Sequence, residues 1–140
     1  MNREKLFLDT VFIQALLNPR DQYHLVARAF LPRVRVAAEV WLTEAILIEV
    51  GNGLSAIDRR SAVQFIQNCY TATNMKIVTV DTSLLNRGLS LYQSRQDKTW
   101  GLTDCISFVV MQEHGLVNAV TADEHFVQAG YCALLLETFK

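Results

Sequence analysis

Short apolar stretches typical of buried strands alternate with helical patterns along the whole chain. The predicted strands comprise residues 3–8, 36–42, 76–80, 119–121 and 133–136. Parallel strands need a crossover between them, and that crossover is usually a helix that packs on the sheet. The alternation therefore predicts an α/β fold, a three-layer α/β/α sandwich around a central, mainly parallel sheet of four to five strands.

The segments between these strands carry apolar residues at helical spacing. The predicted helices comprise residues 11–17, 21–30, 44–54, 58–72, 81–95, 102–114 and a brief one from 123. Pro32 is expected to interrupt the second helix because proline cannot donate a backbone hydrogen bond. Thr43 suits the N-cap of the third helix, and the glycines on either side of Asn52 are expected to end it. Gly115 is expected to end the sixth helix. In the fourth helix, Val63, Ile66 and Tyr70 form the predicted apolar stripe.

The composition places the chain among globular proteins. Its 140 residues suit a single domain, 1–140, and contents of 51% hydrophobic and 19% charged residues exclude a disordered chain. No apolar stretch reaches the roughly 18–20 residues that span a bilayer, and the apolar run before Asp9 is too short for a secretory signal. We therefore expect a soluble protein of the cytoplasm.

Neither the cysteines nor the net charge indicates a ligand. Cys69, Cys105 and Cys132 lack the spacing of zinc ligands, so we expect reduced, buried thiols. The formal net charge of −1 does not indicate a nucleic-acid partner. If several acids bind a metal, however, the 13 Lys and Arg residues dominate the surface that remains.

Three aspartates lie just after predicted strands. In parallel sheets, ligands bind beyond the carboxyl ends of the strands, so Asp9 and Asp123 are expected at one edge of the sheet. Each also suits the N-cap of the helix that follows it, and both interpretations stay open. For Asp81, which follows the third strand, the cap is the preferred interpretation.

Two further acids lie in helices that are otherwise apolar. Glu49 follows Ile48, and Asp104 lies near the start of its helix, where the helix dipole alone favours a carboxylate. Glu49 could also belong to a solvated face, and Glu44 in the first turn ranks below it. Together with the strand-end acids they suit a hard cation such as Mg²⁺, which prefers oxygen ligands and relieves carboxylate repulsion.

Four segments that contain these acids carry further characteristic residues. They comprise residues 7–10 (Phe-Leu-Asp-Thr), 43–50, 102–107 and 119–126. In this order they resemble the four motifs of the PIN-domain ribonucleases, a family that includes the VapC-like toxins of bacterial and archaeal toxin–antitoxin pairs. The resemblance covers nearly the whole chain, and the last two motifs together are quite specific.

The resemblance implies a PIN-like fold and a hydrolase, a metal-dependent endoribonuclease that cleaves RNA by a metal-activated water and leaves a 5′-phosphate. Asp9 and Asp104 become the expected ligands of Mg²⁺ or Mn²⁺, and Glu49 and Asp123 complete the acidic metal site. Thr121, two positions before the last acid, would orient Asp123 or a water. The family also implies a homodimer and a protein antitoxin as partners.

Cations beside the site are expected to contact RNA, because phosphate neutralisation dominates nucleic-acid affinity. Arg20, Arg95 and Lys98 lie in predicted loops or helix ends, and Arg59 and Arg60 lie at a helix start. A solvated helix face is the preferred interpretation for all five.

The histidines and tryptophans are weaker candidates. His125 could contact a phosphate, but packing or solvation is the preferred interpretation. His24 and His114 are expected on helix surfaces. Trp41 and Trp100 are expected in the core or at its rim, although Trp100 could stack on a base.

Two other functions fit the chain less well. A PIN-like fold could act as a catalytically silent interaction module, but four retained acids argue against it. A receiver domain, phosphorylated on Asp81 with Mg²⁺ at Asp9, needs paired acids after its first strand and a Lys after its last, and neither is present. Glycine-rich phosphate-binding motifs are missing as well.

Overall fold

A five-stranded sheet and eight helices make up the described part of the chain, residues 2–137 of this computed structural model. The elements in order are β1 (Lys5–Leu8), α1 (Thr10–Leu17), α2 (His24–Val36), β2 (Glu39–Thr43), α3 (Glu44–Leu54), α4 (Arg59–Thr71), β3 (Met75–Val78), α5 (Thr82–Ser94), α6 (Leu102–Glu113), β4 (Asn118–Val120), α7 (Glu124–Gln128), β5 (Cys132–Ala133) and α8 (Leu134–Glu137).

The sheet has the order β3-β2-β1-β4-β5, and every neighbouring pair of strands is parallel. Helices α1 to α4 pack against one another, as do α5, α6 and α7, and they enclose the sheet in three layers. The α/β sandwich predicted from the alternation is confirmed. Since β1 lies between β2 and β4, residues that follow β1 and β4 leave the sheet at the same edge, with Leu8 paired to Val120.

Aromatic contacts connect β1 with the helices of the last two motifs. Phe7 on β1 is fully buried, and its ring centroid lies 6.3 Å from that of Phe126 on α7. Phe126 in turn meets Phe108 on α6 edge-on at 5.0 Å. Trp100 packs edge-on against Phe108 at 5.0 Å and is only 6% exposed, so it belongs to the core. These contacts hold the starts of α6 and α7 beside the end of β1.

Several predicted helix ends are confirmed by the hydrogen bonds that cap them. Thr43 Oγ1 accepts from the backbone N–H of Ile46 at the start of α3, at 3.3 Å. Asp81 Oδ1 accepts from the N–H of Leu84 at 2.8 Å at the start of α5. Gly115, with φ of 65°, follows α6 in a conformation that favours glycine. These ends rest on local residue chemistry, which explains why the sequence predicted them.

The prediction that Pro32 ends the second helix is wrong. Helix α2 begins at His24 rather than at residue 21 and continues through Pro32 to Val36, so β2 begins only at Glu39 instead of at residue 36. Pro32 removes one backbone hydrogen bond. Beyond it, however, Val34 is buried, and Arg33 Nε donates to Glu4 Oε1 at 2.9 Å. Tertiary contacts therefore stabilise the last turn.

Three further predictions are corrected. The strand expected at 133–136 is limited to Cys132–Ala133, and Leu134–Glu137 is helical; an unbroken apolar run does not distinguish the two. Helix α3 has its predicted bounds, Glu44–Leu54, but the glycines beside Asn52 lie inside its last turn and do not stop it. On α4 the buried side chains are Ala62 and Cys69, whereas 53% of Val63 and 58% of Tyr70 are exposed.

The cysteines are free thiols, with Cys69 and Cys105 buried and Cys132 half-buried. Burial raises the pKa of the Cys69 thiol to about 12 and also raises the pKa of Cys105, so both stay protonated at neutral pH. Among residues 2–137, every helix is too short or too polar to cross a membrane.

Candidate active site

Four acids that are remote in sequence line a single pocket of about 470 Å³. They are Asp9, Glu49, Asp104 and Asp123, and the pocket is completed by Thr10, Val11, Gln14 and Asn52. Asp9 and Asp123 follow the neighbouring parallel strands β1 and β4. Helices α3 and α6 bring Glu49 and Asp104 to the same edge. The structure thus places all four predicted acids together.

Asp9 is the most buried of the four acids, with 4% of its surface exposed. It occupies the N-cap position of α1, yet its side chain accepts no capping bond from the described residues. Instead, Asp9 Oδ2 accepts from Thr121 Oγ1 at 2.8 Å. Burial raises the pKa of Asp9 to about 7; the Thr121 hydrogen bond opposes this rise, and the negative charges of Asp104 and Asp123 add to it. The capping interpretation is therefore not what the structure shows for Asp9.

Asp104 lies in the first turn of α6 and is held by two donors on one oxygen. Its Oδ2 accepts from the backbone N–H of Gly101 at 3.1 Å and lies 3.0 Å from Nδ1 of His125. Partial burial raises the pKa of Asp104, the bonds from Gly101 and His125 lower it, and the charge of Asp123 raises it further. The net rise indicates a carboxylate that a nearby positive charge would stabilise.

Asp123 has both of the roles that the sequence left open. Its Oδ1 accepts from the N–H of His125 at 2.9 Å and so caps α7, while the side chain also lines the pocket. This bond uses only part of the acceptor capacity of the carboxylate, so the side chain can also serve the pocket. Capping and a position in the site are therefore compatible here.

Glu49 and Glu44 lie on the same helix but have different partners. Glu49 lines the pocket, and its Oε1 accepts from Thr10 Oγ1 at 2.6 Å. Glu44 accepts from the backbone N–H of Val80 at 3.1 Å and from the hydroxyl of Tyr70 at 3.3 Å. Those bonds tie α3 to α4 and to the segment after β3, which gives Glu44 a structural role away from the four acids.

Thr121 contacts the expected acid, Asp123, and also Asp9. The sequence suggested that it orients Asp123 or a water. In the structure its hydroxyl donates to Asp9 and accepts from the backbone N–H of Asp123 at 3.0 Å. Thr121 is fully buried, so it holds the acid after β1 against the loop after β4.

His125 lies closer to the acids than the sequence suggested. Its Nδ1 lies 3.0 Å from Asp104 Oδ2 and 3.5 Å from Asp123 Oδ1, and its Nε2 lies 3.3 Å from Thr99 Oγ1. Packing or solvation was the preferred interpretation, and the structure places the ring against two carboxylates instead. The signal available in the sequence was its position, two residues after Asp123 at the start of a short helix.

Among residues 2–137, none of the five candidate RNA-binding side chains lines the pocket. Arg95 pairs with Asp97 at 3.0 Å, and its guanidinium lies 5.0 Å from the centroid of Trp100. Lys98 lies 4.0 Å from Asp97, and Arg59 donates to the backbone carbonyl of Ser55, which follows α3. Arg20 lines a separate surface pocket, and Arg60 is exposed.

The donor set of the pocket fits a divalent cation. Asp104 and Asp123, together with His125 beside the pocket, each offer one donor atom, and these atoms lie within 4.8 Å of one another. Asp9 and Glu49 add carboxylates to the same pocket, and its lining within residues 2–137 includes no Lys or Arg. Oxygen-rich, negatively charged sites of this kind suit Mg²⁺ and Mn²⁺, which offset the repulsion among the acids.

Comparison with known proteins adds a family and two similar folds. Residues 6–130 match the family model described as the PIN domain. The structure is similar to VapC20 of Mycobacterium tuberculosis, a Sarcin-Ricin loop cleaving toxin, with a TM-score of 0.83 and 24% identity over 91% of this chain and 97% of that one. FitAcB from Neisseria gonorrhoeae has a TM-score of 0.59 and 18% identity over 91% and 94%. No curated protein sequence matches the chain.

Proposed function

Because this chain belongs to the PIN domain family, we propose that it is a metal-dependent endoribonuclease and the toxin of a toxin–antitoxin pair. One observation carries the proposal. Four carboxylates from four separate elements line one pocket at the carboxyl edge of the sheet, where α/β folds bind ligands. Such crowding of acids costs free energy in an apo protein, and a bound cation offsets that cost.

The hydroxyl residues of the site keep its acids in place. Thr121 holds Asp9, and Thr10 holds Glu49 through its Oε1. A divalent cation at these acids supplies a water of lowered pKa and offsets the negative charge on the phosphate that is attacked. The chain's own contribution is to fix the orientation of its carboxylates, which matters because outer contacts tune metal sites.

We propose Asp9, Asp104 and Asp123 as ligands of Mg²⁺ or Mn²⁺, with Glu49 completing the metal site. Thr121 acts on Asp9 as a positioning residue. The likeness to VapC20, itself a Sarcin-Ricin loop cleaving toxin, supports RNA as the substrate here. An RNA substrate also supports the cytoplasm as the place of action.

We further propose a homodimer and a protein antitoxin as partners. Leu85, Leu89 and Tyr92 on α5 are 40%, 47% and 48% exposed and lie on one helix face, at spacings of four and three residues. Exposed apolar groups of this kind favour contact with another protein surface. Light scattering of the purified chain over a concentration series measures the stoichiometry, and a monomer at all concentrations contradicts the homodimer.

The test of the nuclease uses two matched pairs of substitutions, scored by cleavage of structured and single-stranded RNA in Mn²⁺ and in EDTA. Asp9→Asn is paired with Asp81→Asn, another acid that follows a strand but caps α5. Glu49→Gln is paired with Glu44→Gln on the same helix. We expect the pocket variants to lose at least about 100-fold in rate, the outside variants to retain it, and EDTA to stop the reaction.

Products with 5′-phosphate ends support the proposed hydrolysis. Equal rates within each matched pair would contradict the assignment of the pocket. A well-folded protein that binds Mn²⁺ but cleaves none of the RNAs would instead favour the silent interaction module.

A further inference from the structure

We propose that His125 binds the divalent cation directly through Nδ1, and that this nitrogen makes the site prefer Mn²⁺ to Mg²⁺. The inference rests on the proposed metal-dependent function and adds a ligand that the four acidic positions do not include. Its starting point is the position of Nδ1, which lies 3.0 Å from Asp104 Oδ2 and 3.5 Å from Asp123 Oδ1.

These separations match neighbouring positions around one ion. For metal–ligand bonds of about 2.1 Å in an octahedron, adjacent donor atoms lie roughly 3.0 Å apart. The distance from Nδ1 to Asp104 already has this value, and the distance to Asp123 needs only a small adjustment. Nδ1 therefore has the spacing of a donor adjacent to each of these carboxylate oxygens around one ion, and the three donor atoms lie within 4.8 Å of one another.

The hydrogen-bond partner on the other side of the ring permits this role. Nε2 of His125 lies 3.3 Å from the hydroxyl of Thr99, which can act as donor or acceptor. Without a cation, Nδ1–H donates to Asp104 and Nε2 accepts from Thr99. With a cation, Nε2 carries the proton and donates to Thr99, and the lone pair of Nδ1 is free to bind. The ring changes tautomer while both of its neighbours stay in place.

The added nitrogen has consequences for the choice of ion. Carboxylates suit Mg²⁺ and Mn²⁺ alike, whereas imidazole favours first-row transition metals over the harder Mg²⁺. A site of carboxylates alone would differ less in its affinities for the two ions. A second explanation of the geometry is that His125 only donates a hydrogen bond to Asp104. A substitution can distinguish this explanation from metal binding.

His125→Asn provides that separation. An asparagine amide keeps a hydrogen-bond donor near the position of Nδ1 but offers no nitrogen lone pair to a cation. His114→Asn is the matched control, because His114 lies after α6 and stacks on Trp41 at 4.3 Å, outside the pocket. Mn²⁺ and Mg²⁺ are titrated by calorimetry into each 140-residue protein, and electron spin-echo envelope modulation is recorded on the Mn²⁺ samples.

We expect ¹⁴N modulation typical of directly bound imidazole in the wild type and in His114→Asn, and its loss in His125→Asn. The Mn²⁺ affinity of His125→Asn should fall by about tenfold or more, with the Mg²⁺ affinity changing much less. Circular dichroism and thermal unfolding check that each variant is folded.

Three results overturn the inference, and they differ in what they say of the function. Tight Mn²⁺ binding without ¹⁴N modulation in the wild type removes His125 as a ligand and leaves the metal-dependent nuclease standing. Failure of the wild type to bind either ion removes both. Unchanged Mn²⁺ affinity in a folded His125→Asn assigns the residue to hydrogen bonding alone.

Discussion

Thr121 Oγ1 donates a hydrogen bond of 2.8 Å to Oδ2 of Asp9, between residues 112 positions apart in the sequence. The same oxygen accepts from the N–H of Asp123, so one buried hydroxyl connects the end of β1 with the loop after β4. A hydroxyl can serve both partners because it is donor and acceptor at once. The first and last acids of the site are thereby fixed relative to each other.

Thr121→Val should destabilise the protein by roughly 1–3 kcal/mol. Valine fills nearly the same volume but leaves Asp9 Oδ2 and the Asp123 N–H without their partner, in a place that water reaches poorly. Urea unfolding in EDTA measures the change. Thr121→Ser keeps the hydroxyl and should recover most of the loss, and a valine variant as stable as the wild type would contradict this role.

The pH dependence of stability should report on Asp9. Its pKa is about 7 in the folded protein against an ordinary value of 3.8, because burial disfavours the charged form. Between these two values the folded state binds more protons than the unfolded state, so stability is lost as pH rises from about 4 through 7. In EDTA, Asp9→Asn should therefore be more stable than the wild type at pH 8, by a few kcal/mol, and nearly equal to it at pH 4.

Unfolding curves of both proteins from pH 4 to 8 provide the measurement, and the difference between them cancels the carboxylates that lie far from Asp9. Saturating Mn²⁺ should stabilise the wild type at pH 8, since it binds the folded state, and should do so much less for Asp9→Asn. A stability difference that does not change with pH would show that the Asp9 carboxyl titrates normally.

Two helix glycines should respond in opposite directions to alanine. A Cβ at Gly51 in α3 would meet no atom of residues 2–137 within 4 Å, so Gly51→Ala should stabilise by about 0.5–1 kcal/mol through reduced backbone entropy of the unfolded chain. At Gly88 in α5, a Cβ would lie 2.6 Å from Cγ1 and 3.3 Å from Cα of Ile106. Gly88→Ala should cost about 1–3 kcal/mol, because α5 and α6 must separate.

Thermal unfolding of the two variants, measured side by side, checks this pair. The opposite signs follow only from the close approach of α6 to α5, since both glycines lie inside helices. Stabilisation by both substitutions would mean that Ile106 of α6 does not approach Gly88 of α5 as closely as in this structure.

Asn74 should be important for stability although it lies far from the acids. Its Nδ2 lies 3.3, 3.4 and 3.0 Å from the carbonyl oxygens of Val34, Arg35 and Ala37. It therefore donates hydrogen bonds to carbonyls at the C-terminal end of α2. Asn74→Ala should cost about 1–2 kcal/mol. Asn74→Asp should cost more, because it places a carboxylate oxygen against carbonyl oxygens.

Denaturant unfolding at neutral pH distinguishes the two Asn74 variants. The same changes at Asn86, which is exposed on α5, serve as controls and should stay within about 0.5 kcal/mol of the wild type. An aspartate variant that is more stable than the alanine variant would show that the amide group does not donate hydrogen bonds to these carbonyls.

Much of the fold is readable from the sequence because it depends on local chemistry. The apolar run of β1, the Thr43 and Asp81 caps and the stop at Gly115 each involve residues within a few positions of one another. The alternation of strands and helices then leaves a parallel sheet as the natural solution, and a parallel sheet brings the acids after β1 and β4 to one edge.

Where a side chain could bond either a neighbour in the sequence or a distant residue, only the tertiary structure shows which partner it has. Asp9 and Asp123 both follow strands and precede helices, yet Asp123 caps its helix and Asp9 contacts Thr121 instead. Helix α2 passes Pro32 because Val34 and Arg33 find partners beyond it.

The sequence by itself determined the α/β class, the main helix ends and the four acids that were candidates for one site. The tertiary structure decided which partner each acid has, including the bonds of Glu44 to Tyr70 and Val80 outside the pocket, and that His125 lies against Asp104. The physical reason is the separation along the chain of the residues that interact. Caps and turns form between neighbours in the chain, whereas a buried carboxylate is oriented by whichever donor the packing of distant elements brings to it.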